Sequence, residues 1–186
     1  MLKKVIISGL LGWIVLAVWT FVANGIFGFR SRIDMRQIPD ERRVYEILKE
    51  NVVAPGRYVC NPAPSSSGFF PDEEPVFSIV YSGLGHGSAG TESLVHMLIG
   101  LCATIIASGM LAVASPRILS SYLRKVLFFT AIGLLFAVNT DLASSGIGGY
   151  PPADAMLLAA HSVVVWTLAG LVVGWRLKPD TPVAAT

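Results

Sequence analysis

Apolar positions fall into four long runs along the chain, and most of what is polar is gathered in one block between the first run and the second. The first run covers Val5 to Phe29, with Trp13 and Trp19 inside it and Lys3–Lys4 just ahead. About 20 apolar residues suffice to cross a bilayer's hydrocarbon as a helix. Further runs lie at about Ser93 to Ala114, Leu123 to Thr140 and Ala153 to Trp175. Ser115-Pro116-Arg117 ends the second run, and Tyr150-Pro151-Pro152 precedes the fourth. This pattern predicts an all-α membrane protein built as a four-transmembrane-helix bundle. Residues 1–28 form its first helix, 91–176 the other three, and 177–186 a tail. A signal peptide would share the basic start of the first run. Its length and the lack of a small-x-small cleavage site favour a retained anchor.

The block at 29–90 reads as a small extracytoplasmic α/β insert between helices 1 and 2. Pro39-Asp40-Glu41 followed by Val44, Ile47, Leu48 and Val52 has the start signal and apolar spacing of a short amphipathic helix over 39–53. Ala54-Pro55-Gly56 stops it. Arg57–Cys60 and Val76–Tyr81 then read as a hairpin, 57–60 against 76–81, around the loop signature Asn61-Pro62-Ala63-Pro64 and Ser65–Gly68. Gly83, Gly85, Gly87 and Gly90 lead into the next helix. About 60 residues is close to the lower limit for an independent core, so the insert is expected to pack on the bundle's ends or on a partner.

Composition sharpens this picture. The chain is 53% hydrophobic and only 14% charged, with mean hydropathy +0.64, where ordinary soluble domains carry about a quarter charged residues. A formal net charge of +2 without a basic cluster excludes a nucleic-acid partner. The insert alone holds seven of the fourteen Lys and Arg residues and eight of the twelve acids. Outside it, Lys3, Lys4, Arg117, Arg124, Lys125, Arg176 and Lys178 all fall on one side of a four-span topology. The loop from Asp141 to Pro152 has neither Lys nor Arg. The positive-inside rule then puts both termini in the cytoplasm and the insert outside.

Polar groups inside spans are costly and are functional candidates by default. Glu92 and His96 stand four apart on one helical face, where the carboxylate could orient the imidazole. His161 lies about two turns into the fourth span, and Asp141, Asn139 and His86 belong at a similar level. Were helices 2 and 4 neighbours, His96 and His161 could be axial ligands to a haem. Glu92 or Asp141 could instead close a transition-metal site with them. The bland alternative is interhelical hydrogen bonding. Cys60 and Cys102 are the only cysteines; they form no CxxC motif and are not expected to bridge.

Small residues such as Gly9 with Gly12, and Gly170-x-x-x-Gly174, suit close helix packing, within the chain or against a partner. Gly83-x-Gly85-x-Gly87 lacks the strand–helix setting of a nucleotide loop, and no Gly-x-Ser-x-Gly elbow occurs. Tyr150 and Trp175 suit interfacial anchoring, and Trp166 a helix face or span end. Phe69-Phe70-Pro71 puts two aromatics on an outer loop beside acids, to dock on a partner or a membrane surface, or to be buried beneath the insert.

The stretch Val53-Ala54-Pro55-Gly56-Arg57-Tyr58-Val59-Cys60-Asn61-Pro62, behind a tryptophan-bearing anchor and before three more spans, resembles a group of small bacterial inner-membrane proteins of no assigned activity. The resemblance implies a bacterial inner-membrane setting and gives no residue a catalytic role. Few ionisable residues lie at mid-membrane. This favours a non-catalytic accessory or scaffold subunit over a pump, with Phe69, Phe70, Gly170 and Gly174 as partner-binding candidates and membrane lipids around it. The alternatives are a haem- or metal-binding redox protein using His96 and His161, and a small-ligand carrier or channel working as a homo-oligomer.

Overall fold

Among the described residues, four helices are long and apolar enough to cross a membrane. The computed structural model describes residues 1–61, 68, 74–146 and 149–178. Helix α1 (Leu2–Phe21) loosens into a π-helical turn at Val22–Ile26. Gly28, with φ +61°, then turns the chain into a short helix α2 (Phe29–Asp34), a conformation glycine adopts without the usual steric cost. Helix α3 (Glu41–Asn51) and strands β1 (Gly56–Cys60) and β2 (Phe77–Tyr81) follow. Next come α4 (Ala89–Ala112), the single turn α5 (Pro116–Leu119) and α6 (Tyr122–Phe136), which ends in a second π-helical turn at Ala137–Asp141. Helix α7 (Pro152–Arg176) opens on a proline, whose missing N–H costs nothing in a first turn.

The long helices pack as a row, α4–α1–α7–α6. Neighbours run in opposite directions: Gly9 meets Ile105, Gly12 meets Val173, Gly133 meets Trp166 and Gly174 meets Lys125 and Tyr122. The start of α1, the end of α7 and α5 therefore share one end of the bundle, here the terminal end, and the insert leaves from the other. At the terminal end the row closes into one core, where Ala107 and Leu111 of α4 meet Phe129, Ala169, Val173 and Leu177. All four buried residues of α4, Thr104, Ala107, Ser108 and Leu111, lie in that half. Towards the insert end, among the described residues, α4 leans mainly on α1.

Backbone approach sets the α6–α7 contact. A Cβ at Gly170 would sit 2.6 Å from the Cβ of Phe129, and one at Gly133 would sit 2.9 Å from that of Trp166. Gly170 and Gly174 are therefore buried inside this chain, not on a face offered to a partner. Trp166 is core as well, stacked on Phe136 at 5.5 Å rather than set at a helix end. Lys125 is buried and donates from Nζ to the carbonyl of Leu177 at 2.7 Å, satisfying a C-terminal carbonyl of α7.

The insert divides into two parts. Its base, α2 with Arg36, is fastened to the bundle. Among the described residues, its outer part, α3 and the β1–β2 hairpin, makes no extensive contact with another helix. The hairpin is antiparallel, with Gly56 opposite Tyr81 and Cys60 opposite Phe77. The phenol of Tyr58 locks its start by donating to the carbonyl of Ala54 at 2.7 Å. No residue of α3 is buried, and each strand has one half-covered side chain, Tyr58 and Ile79. Among the described residues, the base of the insert thus packs on the bundle and its outer part does not. Phe69 and Phe70 lie outside the described residues.

Candidate functional site

The polar chemistry of the chain collects where α1, α2 and the start of α7 meet. His161 sits on α7 facing α1, and the indole N–H of Trp19 donates to its Nδ1 at 3.3 Å. A ring nitrogen that accepts carries no proton, so His161 is the neutral tautomer with its hydrogen on Nε2. The ring of Phe29 covers it at 4.8 Å. One residue on, Ser162 donates to the carboxylate of Asp141 in the second π-helical turn. Such turns shift the helical register by one residue and re-aim side chains. Here they carry Asn24 and Asp141 at the insert end.

Two ionic clasps lie above this level. Arg36 clasps Asp154, its guanidinium Nη2 donating to both carboxylate oxygens at 2.9 and 2.8 Å. Asp154 is 6% exposed and would be costly without that cation. Arg30 pairs with Asp34 at 3.1 Å, and the phenol of Tyr150 donates to the same Asp34 carboxylate. That hydrogen bond, then burial and the negative charge of Asp34, push the Tyr150 pKa above the ordinary phenol value. These contacts tie the base of the insert to the start of α7 and to the loop ahead of it. Chemically this is a fastening, since each charge is spent on an internal partner.

The second candidate region is a groove of about 680 Å³ between α1 and α4, in the half where α4 leans mainly on α1. Glu92 and His96 do share its rim, as their spacing predicts, but His96 Nδ1 lies 3.0 Å from the backbone carbonyl of Glu92, not its carboxylate. Helix α1 stands between α4 and α7, so the structure does not bring His96 and His161 face to face. Asp141 is likewise engaged on the α6–α7 side, away from Glu92. Among the described residues, no group of three His, Cys, Asp or Glu side chains is placed to hold a metal ion. The haem pair and the four-residue metal set therefore have no common centre here. Cys60 and Cys102 are free and exposed.

Sequence reasoning missed Trp19, Phe29, Arg30, Asp34, Arg36, Tyr150 and Asp154 as a set. The available signal was Asp154, a carboxylate just inside an apolar run, which demands a cation from elsewhere. Which cation was hidden, because Arg36 lies 118 residues away. No protein-family model matches the chain, and no curated protein or solved structure matches it either.

Proposed function

We propose that this chain is a non-catalytic, multi-pass subunit of a bacterial inner membrane, with cytoplasmic termini, that docks a partner membrane complex through its outer insert. One observation carries the reading: the α3–hairpin module is held by its base and left uncovered elsewhere. Tyr45, Ile47, Val59, Phe77 and Val80 are all more than half exposed on it. A two-stranded hairpin is marginal in water without a further strand or a covering layer. Exposed apolar side chains on both faces of the hairpin, Val59 and Val80 on one and Phe77 on the other, suit an interaction surface. The clasps Arg36–Asp154 and Arg30–Asp34–Tyr150 support the same reading, because they hold the base of the module in one attitude relative to the spans.

Gentle solubilisation from the native membrane and affinity capture of the full chain test this proposal. The expected result is a second membrane protein in stoichiometric amount, lost from a Phe77→Ser, Val80→Ser double variant whose thermal melt in detergent matches the parent. Wild-type chain recovered as a lone stable monomer would overturn it.

A further inference from the structure

The groove between α1 and α4 is graded along its length. Its inner part is apolar, with Trp13, Leu16, Ala17, Met97 and Gly100, and its rim at the insert end carries Glu92, Ser93 and His96. The donors near α4 are already spent. Trp13 gives its N–H to the carbonyl of Met97 at 3.0 Å, and Ser93 gives its hydroxyl to Ala89 at 3.0 Å. His96 gives Nδ1–H to Glu92, because a carbonyl can only accept. What remains on the α4 side of this rim is the Glu92 carboxylate and the Ser93 oxygen, and Thr20 and Asn24 of α1 line the opposite side. No Lys or Arg lines the groove. A rim with one negative charge and no cation, above an apolar slot, complements a molecule with a cationic N–H donor at one end and a hydrocarbon chain at the other.

We infer that this groove binds a phospholipid with a primary ammonium headgroup. One acyl chain lies along Leu16, Ala17 and Gly100, and the ammonium sits at Glu92. The volume falls within the roughly 300–1,000 Å³ typical of ligand sites, which suits one chain and not a whole lipid. The inference uses the membrane-spanning reading above and is independent of the docking partner.

The test is native mass spectrometry of the full chain released from nanodiscs holding equal parts of palmitoyl-oleoyl phosphatidylethanolamine, phosphatidylcholine and phosphatidylglycerol. The expected result is a single retained lipid, with phosphatidylethanolamine favoured about tenfold over phosphatidylglycerol, the ratio that about 1.4 kcal/mol supports. Phosphatidylcholine carries the positive charge without an N–H and should fall between the two. Glu92→Gln, a near-isosteric change at a half-buried position, should abolish the preference, and Ala17→Phe should expel the lipid altogether. Equal retention of all three lipids, or a preference that survives Glu92→Gln, overturns the inference. So does a second protein chain crosslinked into the groove in place of lipid. Because the hairpin variants above leave the groove intact, lipid retention and partner capture fail separately.

Discussion

Tyr150 shows how a single side chain can sit where its type suggests and still do something else. An aromatic with a polar tip beside Pro151 suits interfacial anchoring, yet its hydroxyl is committed to Asp34 on the insert. The consequence for pH follows from the sign of the shift. A phenol whose pKa rises on folding holds its proton more tightly in the folded state. Its contribution is complete below the ordinary phenol value of about 10 and is lost as pH climbs through the raised one. Detergent-solubilised protein should therefore show one phenolate absorbance step later than free tyrosine, absent from Tyr150→Phe. A difference titration centred at or below the free value would sink this account. The aromatic box of Trp19 and Phe29 around His161 and the Arg36–Asp154 pair were equally illegible beforehand, because they depend on which helices touch. Runs of apolar residues give span positions but not rotation. The spacing of Glu92 and His96 was legible, since a helix alone fixes it.

Among the elements, the long helices were readable because their length and apolarity are properties of single segments. Helix α3 came out as Glu41–Asn51 within the expected 39–53, and the hairpin within a residue of 57–60 and 76–81. The two π-helical turns and α2 were not anticipated, since continuous apolar sequence hides a change of helical register. The neighbour order α4–α1–α7–α6 was also hidden, although the small residues that enforce it stood in view. Gly170 is the sharpest case. A Cβ there would lie 2.6 Å from that of Phe129 and 3.2 Å from the carbonyl of Val126. Gly170→Val should thus force α6 from α7, cost about 1–3 kcal/mol as overpacked cores do, and lower the melting temperature in detergent. Gly100→Ala is the matched control, its Cβ meeting Trp13 at an ordinary 3.6 Å. Equal melting temperatures for the two variants would show that α6 and α7 do not approach this closely.

At the scale of the molecule, charge and geometry distinguish two ends. Lys3, Lys4, Arg117, Arg124, Arg176 and Lys178 gather at the terminal end, where the four helices close into one core. The opposite end is looser: the row opens between α1 and α4, and the uncovered module projects from its clasped base. A subunit anchored through one end and recruiting through the other would be built this way, and the proposed orientation makes it testable with the chain's own thiols. Cys60 is on the exposed hairpin, and Cys102 is exposed on α4 within a segment apolar enough to be covered by lipid. In intact spheroplasts a membrane-impermeant maleimide should label wild type at Cys60 and leave Cys60→Ser unlabelled. With Cys60→Ser as background, Ser120→Cys at the terminal end should react only after the membrane is permeabilised. Labelling of Ser120→Cys in intact spheroplasts, with Cys60 silent in wild type, would invert the molecule. The hairpin would then face the cytoplasm, and its partner would have to be sought there.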